Sequence, residues 1–288
     1  MTHDTLLKRT RLGCPCGADR FSKFFTYDSA PAGETRFGFS SSGDYHREVW
    51  RCGVCGHFLS IHDMDTSDLY GADYVNSTYG EDGLRQALER VTSLDAAESD
   101  NAGRVKRVLD FASAHLDRHA EENRPPTVLD VGSGICVFLQ GMKQAGWDCT
   151  ALDTDARSVA HAHDVVGVEA VCGDFMEAQD LGRFDLVTFN KVLEHVEDPG
   201  AMLAKSAVQL REGGLVYVEL PDGEAAAADG QEREEFFIEH HHVFSFASFA
   251  LLAARWGFSV RAMQRVREPS TKYTLWAFLS PAPRDVAR

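Results

Sequence analysis

Two things are scarce in this sequence, namely long apolar runs and positive charge. No stretch of its 288 residues approaches the roughly 20 apolar residues of a membrane span, and residues 1–11 lack a signal-peptide core. Lys and Arg number 29 against 44 Asp and Glu, for a formal net charge of −15. Because nucleic-acid backbones are bound by clustered Lys and Arg, nucleic acid is not the expected partner. We expect a cytoplasmic protein with no membrane attachment.

The composition is that of an ordinary globular protein, with 44% apolar and 25% charged residues. A chain of 288 residues can hold one full α/β domain and a smaller module. Its seven cysteines suit a reducing compartment as thiols or metal ligands better than as disulfides.

Four of these cysteines form two pairs near the start of the chain. The pairs are Cys14 with Cys16 and Cys52 with Cys55, each followed by a glycine. Two tight cysteine turns are typical of tetrahedral zinc, although the C-x-C spacing of the first pair is shorter than usual. His46 or His57 could replace one cysteine, and the alternative is a set of reduced thiols. We predict that residues 1–65 form a zinc-binding module.

The remainder divides into a helical connecting region (66–124) and an α/β domain (125–288). Helices are expected at 84–94 and 104–119, before Pro125 and Pro126 stop the second. From Thr127 onward, strand patterns alternate with helix patterns. The predicted strands are 127–132, 148–153, 168–172, 184–190 and 215–220, and the predicted helices are 137–145, 155–165 and 199–211. Such alternation indicates a parallel sheet with helices on both faces, which binds ligands at the carboxyl ends of its strands.

The first strand ends in the glycine turn "DVGSGICVF", residues 130–138. Gly132 and Gly134 permit a tight turn, but the third glycine of a dinucleotide fingerprint is missing and Asp130 precedes the turn. An acid there is unfavourable beside a pyrophosphate and favourable beside a positively charged ligand.

Acidic residues also end the next two strands. Asp153 follows the glycine turn by about twenty residues, the usual distance for an acid that binds ribose hydroxyls. Asp174 can accept a hydrogen bond from an exocyclic amine, and Phe175 can pack on a purine. An adenosine with a cationic, phosphate-free remainder is S-adenosylmethionine. The predicted cofactor-binding residues are Asp130, Gly132, Ser133, Gly134, Asp153, Thr154, Asp174, Phe175, Asn190 and Glu194.

These motifs together resemble the class I S-adenosylmethionine-dependent methyltransferases. The matching segments are "VLDVGSG", "CTALDTD", "CGDF", "FDLVTFNKVLEHVEDP" and "LREGGLVYVELPD", within residues 127–222. The chain departs from the family pattern in "GSGIC", where the family mostly has G-x-G-x-G. The resemblance implies an α/β, Rossmann-like sheet of seven strands whose last hairpin, 259–267 and 273–280, is antiparallel. The zinc-ribbon-like module is similar to one that precedes some bacterial methyltransferases of sugar, polysaccharide and natural-product pathways.

Methyl transfer often needs a base for the acceptor's proton. The candidates are His195, after the fourth strand, and His240 and His242 in a run of three histidines that cannot all face one point. Glu194 should point about 100° away from His195 if both lie on a helix. Asn190 is followed by Lys191, whereas methylases of the exocyclic amines of nucleic-acid bases carry the motif N-P-P-[YF] here. The expected methyl acceptor is therefore a hydroxyl, amine or acidic carbon of a small molecule.

Two other functions remain open at this stage. One is an RNA methyltransferase that uses the zinc module to hold RNA, which the net charge disfavours. The other is a scaffold that keeps the zinc and cofactor folds without catalysis, which the full set of strand-end acids disfavours. Neither the acceptor nor the oligomeric state follows from the sequence.

Overall fold

The computed structural model describes residues 12–34, 45–64, 83–116 and 124–283. Much of the predicted connecting region, 66–82 and 117–123, lies outside these ranges, as does the end of the predicted helix 104–119. The strands, in chain order, are β1 (Phe21–Tyr27), β2 (Arg47–Cys52), β3 (Phe58–Ile61), β4 (Thr127–Val131), β5 (Asp148–Asp153), β6 (Glu169–Cys172), β7 (Phe184–Asn190), β8 (Leu210–Pro221), β9 (His242–Val243), β10 (Phe258–Arg267) and β11 (Tyr273–Pro281).

Seven of the described strands form one sheet in the order β10-β11-β8-β7-β4-β5-β6. The five strands from β8 to β6 are parallel, and β11 pairs antiparallel with both β8 and β10. This confirms the predicted α/β sheet and its antiparallel hairpin. The chain runs from β4 outward to β6 and then returns to β7 on the other side of β4. The order therefore reverses beside β4, and a crevice opens at the carboxyl ends of β4 and β7.

Helices cover both faces of this sheet, because two separate apolar clusters lie on its sides. The helices are α1 (Gly83–Thr92), α2 (Asp100–His115), α3 (Val137–Gln144), α4 (Ala156–His161), α5 (Pro199–Ser206), α6 (Gly223–Asp229) and α7 (Phe246–Arg255). The predicted helix 199–211 is too long. It ends at Ser206 and passes through a 3₁₀ turn, because Leu210 already pairs with Phe184 as the first residue of β8.

A second, antiparallel sheet of four described strands has the order β1-β2-β3-β9. Its first three strands belong to the predicted zinc module. The fourth comes from the α/β part of the chain, where Val243 pairs with Phe58 and His242 pairs with Leu59. The two sheets are thus joined through one short strand. Within the described ranges, no helix has the length and apolar character that crossing a membrane requires.

Candidate functional site

The glycine turn after β4 has the backbone that the sequence predicts. Gly132 and Gly134 have φ angles of +70° and +51°, in the left-handed region that favours glycine. A Cβ on Gly132 would lie 2.8 Å from Val192, whereas a Cβ on Gly134 would meet nothing within 4 Å. The Gly134 amide donates to Asp153 Oδ2 at 2.8 Å, which ties the turn to the end of β5. The turn is therefore closed on one side and open on the other, where a ligand can approach its backbone.

Asp130 is buried at the end of β4 rather than open to the crevice. Its Oδ1 accepts hydrogen bonds from Thr188 Oγ1 at 2.6 Å and Asn190 Nδ2 at 2.8 Å. Burial raises the pKa of this carboxyl to about 6, although both hydrogen bonds oppose the rise. Asn190 is thereby held with its amide oxygen buried and without a hydrogen-bond partner among the described residues. Such an unsatisfied acceptor at a strand end fits a ligand that donates a hydrogen bond.

Asp153 and the other predicted contacts of the nucleoside lie at the ends of β5 and β6. Asp153 Oδ1 accepts from the Asp155 amide at 2.9 Å, and burial raises the pKa of its carboxyl. Each of its oxygens already accepts one protein hydrogen bond, and each has capacity for another. Thr154 and Asp174 are exposed beside it. All three side chains remain accessible to an adenosine in the crevice.

Phe175 does not have the free face that stacking on a purine requires. Its side chain is 2% exposed and belongs to the apolar cluster under the sheet. Its ring meets Phe189 edge-on at 5.7 Å between centroids, and the Lys205 ammonium lies 5.5 Å from the ring centre. The expected purine contact is therefore wrong for this conformation, because the ring is used in the core.

A short 3₁₀ turn, Leu193–His195, follows β7 and carries two of the predicted site residues, Glu194 and His195. Lys191 precedes it with φ of +60°, an unusual backbone for a residue with a side chain. One ligand atom from each of Glu194, His195 and His240 lies within 4.8 Å of those of the other two. The expectation that Glu194 points away from His195 is thus wrong. It assumed an α-helix, whereas this turn brings both side chains toward the same loop.

Both histidines of this cluster are held in one tautomer. His195 Nδ1 donates to the Glu239 carbonyl at 2.9 Å, and His240 Nδ1 donates to the Glu235 carbonyl at 2.9 Å. Since a carbonyl only accepts, Nε2 is the unprotonated nitrogen in each neutral ring. Burial lowers the pKa of His195 to about 3 and that of His240 to about 4. Both rings are therefore neutral at physiological pH, with Nε2 unprotonated.

Glu194 is the most buried member of the cluster, with no exposed surface. Neither carboxyl oxygen has a hydrogen-bond partner among the described residues. Burial raises the pKa of Glu194 to about 8, and the Lys191 ammonium opposes this rise. The Lys191 ammonium itself donates to Thr274 Oγ1 at 2.9 Å. Glu194 thus offers two unused polar atoms beside the two histidines.

These side chains line a cavity of about 190 Å³. Its wall consists of Lys191, Glu194, His195, Pro221, Glu234, Glu235, Phe237, Glu239, His240, Lys272 and Tyr273. Most of these groups are charged or polar, so the cavity suits a compact polar molecule better than an apolar one.

His242, the third candidate base, lies away from this cavity. It is 1% exposed, and its Nε2 donates to the Glu197 carbonyl at 3.2 Å. Its Nδ1 accepts from His57 Nε2 at 3.0 Å, so both ring nitrogens are occupied by protein atoms. A catalytic role for His242 is not supported, because its imidazole has no nitrogen for an acceptor. The ring nitrogens of His240 and His242 thus have different partners, namely the carbonyl of Glu235 for His240 and that of Glu197 for His242.

The four cysteines of the N-terminal module come together as expected. Cys14 Sγ lies 3.3 Å from the Sγ atoms of Cys16 and Cys55, and Cys16 Sγ lies 3.7 Å from that of Cys52. Four sulfurs bound to one zinc at ~2.3 Å lie somewhat under 4 Å apart, so the cluster fits tetrahedral zinc. His57 instead contacts His242, and neither it nor His46 belongs to the cluster.

One group of buried ion pairs was not predicted from the sequence. Glu219, near the end of β8, contacts Arg104 at 2.7 Å and Arg107 at 2.6 Å, both on α2. Burial alone would raise the pKa of Glu219, but the two arginines and Lys191 lower it to about 2. The sequence does contain an indication of these pairs, because a glutamate inside the apolar strand "VYVEL" is expected to be buried, and a buried acid needs a cationic partner. These ion pairs join α2 to the end of β8.

The methyltransferase domain family matches residues 97–263. The ubiquinone biosynthesis O-methyltransferase of Caulobacter vibrioides is 30% identical over 128 residues, which are 41% of this chain and 51% of that protein. The protein of the same name from Xanthomonas oryzae pv. oryzae is 31% identical over 159 residues, or 51% of this chain and 64% of that one. The chain thus spans about half the length of these relatives.

Solved structures show the same fold. Magnesium protoporphyrin IX methyltransferase from Synechocystis, crystallised with S-adenosylhomocysteine, has a TM-score of 0.56 and 17% identity over 76% of this chain and all of its own. An S-adenosylmethionine-dependent methyltransferase from Clostridium acetobutylicum has a TM-score of 0.53 and 11% identity, covering 69% of this chain and 98% of its own. The protein therefore belongs to the methyltransferase domain family and has the class I fold of S-adenosylmethionine-dependent methyltransferases.

Proposed function

We propose that the protein transfers the methyl group of S-adenosylmethionine to a hydroxyl, amine or acidic carbon of a small polar molecule held in the 190 Å³ cavity. The observation that carries this proposal is the adjacency of two sites. The cavity begins at Lys191 and Glu194, directly after β7, and the cofactor crevice ends at Asn190 on the same strand. A methyl donor in the crevice and an acceptor in the cavity would meet there.

On the cofactor side, each predicted contact has a physical basis. Asp153 accepts hydrogen bonds from ribose hydroxyls with its remaining lone pairs, and the open side of Gly134 admits the ligand to the backbone. Asn190 Oδ1 accepts a hydrogen bond from the ligand, and the hydrogen bond from Asn190 Nδ2 to Asp130 fixes the orientation of that amide. When bound, S-adenosylmethionine supplies an activated methyl group together with its own leaving group.

On the acceptor side, the two histidines are the proposed proton acceptors. A group lying between them and Glu194 reaches all three, because atoms within 4.8 Å of one another can each lie ~2.8 Å from a shared neighbour. As the acceptor atom forms its bond to the methyl carbon, it releases its proton to Nε2 of His195 or His240. Glu194 binds the acceptor as a hydrogen-bond donor, because burial raises the pKa of its carboxyl to about 8 and keeps it mostly protonated near neutral pH.

We further propose a sugar or natural-product intermediate as the acceptor. Two features support this class, namely the polar wall of the cavity and the likeness of the cysteine module to those of methyltransferases in such pathways. The relatives named as O-methyltransferases favour a hydroxyl as the atom methylated. One zinc ion on Cys14, Cys16, Cys52 and Cys55 would stabilise the module without touching the acceptor.

The proposal is tested by S-adenosylhomocysteine release in the presence of sugar nucleotides, phenols and other natural-product precursors, amines and structured RNA, in separate panels. We expect release with at least one hydroxyl-bearing sugar or natural-product precursor. Release only with structured RNA would point to the rival RNA methyltransferase. Normal binding of S-adenosylmethionine with no turnover on any panel would point to the scaffold.

A further inference from the structure

A buried ion pair in the N-terminal module contacts the loop that carries His240. Arg47, on β2, has no exposed surface. Its Nη1 donates to the Phe236 carbonyl at 2.6 Å, and its Nη2 donates to Glu34 Oε2 at 3.2 Å. A fully buried guanidinium is costly unless its donors are satisfied, and here one of them binds the backbone four residues before His240.

Glu34, the other member of the pair, holds the same loop through a second bond. Its side chain is 5% exposed, and its Oε2 also accepts from the Ile238 amide at 2.8 Å. Its Oε1 accepts from the Tyr45 hydroxyl at 2.7 Å. The pair therefore bonds one carbonyl and one amide, at positions two residues apart, in the segment that leads to His240.

The other end of the loop is held by β3. The Ser60 amide donates to the His241 carbonyl at 3.1 Å, and β3 pairs with β9 immediately afterwards. Glu239 and His240 therefore lie between two attachment points, both supplied by the N-terminal module. The carbonyl of Glu239 in turn receives the Nδ1 proton of His195. One loop thus sets the orientation of both proposed proton acceptors.

We propose that Arg47 and Glu34 are positioning residues for the methyl transfer site, which fix the loop of Glu239 and His240 and through it both imidazole tautomers. The N-terminal module then contributes to the acceptor site through this loop, and neither residue of the ion pair lines the cavity itself. This inference depends on the proposed function only in naming the two histidines as proton acceptors. Their positioning by the ion pair can be measured without any acceptor.

The test uses the full-length protein with ¹⁵N-labelled histidine and reads the ring nitrogens by NMR. His195→Gln and His240→Gln samples assign the two sets of resonances. In the unsubstituted protein both rings should show the single tautomer with the proton on Nδ1. Arg47→Met combined with Glu34→Leu removes the pair without leaving one charge buried alone, an exchange that proteins often tolerate. We expect the His240 ring nitrogens to shift toward a mixture of tautomers, with a smaller shift at His195.

Fold integrity is checked by the affinity for S-adenosylhomocysteine, which should stay within about threefold because the cofactor crevice lies in the other sheet. If the double variant does not fold, Arg47→Lys is used in its place. It keeps the charge, but its single ammonium cannot reproduce the fork that joins Phe236 and Glu34. A smaller shift at His240 is then expected.

The matched control is Lys23→Met, which removes an exposed ion pair with Glu48 (2.8 Å) in the same sheet and should leave the histidine resonances unchanged. The inference is overturned if either folded Arg47 variant keeps the histidine resonances of the unsubstituted protein. It is also overturned if Lys23→Met shifts them equally, because the effect would then not belong to the buried pair. Neither the NMR measurement nor the affinity measurement depends on methyl transfer. Failure of the positioning hypothesis is therefore distinguishable from failure of the proposed function.

Discussion

The ring of His195 donates its Nδ1 proton to the carbonyl of Glu239, 44 residues further along the chain. His240, the next residue, lies with its ring centre 4.9 Å from that of His195. The end of β7 and the loop before β9 therefore form one site, and substitutions in either should alter the same chemistry.

The two histidines can be separated by substitution. With any acceptor that the unsubstituted protein methylates, loss of the residue that takes the proton should slow transfer by about 10²–10⁴-fold. We expect His195→Ala to show this loss and to keep its affinity for S-adenosylmethionine. Full turnover in His195→Ala together with an inactive His240→Ala would move the base to the loop before β9.

Asp153→Asn tests the cofactor crevice. It keeps the shape of the side chain but loses its charge, which weakens the hydrogen bonds from ribose hydroxyls and from the Gly134 amide. A loss of one to two charge-assisted bonds corresponds to a 10- to 100-fold weaker affinity, roughly, by calorimetry with S-adenosylhomocysteine. Asp110→Asn, on the outer surface of α2, is the control and should bind normally. Equal affinities of the two variants would contradict the assignment of Asp153.

Cys52→Ser tests the metal site. Protein purified without added metal should contain close to one zinc per chain, and this variant should contain little and melt at a lower temperature. Cys172→Ser removes an exposed thiol outside the cluster and should keep its zinc. Metal-free protein with an unchanged melting curve would show that the four cysteines are simple thiols.

The buried imidazole of His242 makes a pH-dependent contribution to stability. Burial lowers its pKa from 6.5 to about 4, so between these values the unfolded chain binds more protons than the folded one. Stability from this group is present above pH 6.5 and is lost as the pH falls toward 4, by up to ~1.4 kcal/mol per pH unit. Asp130 and Glu194 have raised pKa values and act in the opposite direction, so a difference between variants is needed.

His242→Gln provides that difference. Its free energy of urea unfolding should fall less steeply than that of the unsubstituted protein between pH 6.5 and 5. Parallel pH profiles for the two proteins would show that His242 is already charged, or accessible, in the folded state.

The sequence predicted the large sheet well, because its buried parallel strands are continuous apolar runs that end in acidic or glycine-containing turns. It also predicted that the four cysteines come together and that His195 follows the fourth strand, since each lies within a local motif. It failed at Glu194 and Phe175, whose directions depend on a 3₁₀ turn and on the packing under the sheet. The pairing of Glu34 with Arg47, and of both with the loop before His240, joins residues far apart in the chain. No local pattern could indicate these contacts.

The position of β9 also sets an order of events during synthesis. The N-terminal sheet receives its last strand from a segment that leaves the ribosome about 180 residues after β3. Contacts of such sequence separation close late, because a long loop must be ordered before they form. The first three strands emerge early, but the open edge at β3 stays uncovered until most of the chain has been synthesised. A nascent chain truncated before Val243 should therefore expose that edge and bind chaperones or aggregate, even with its zinc in place.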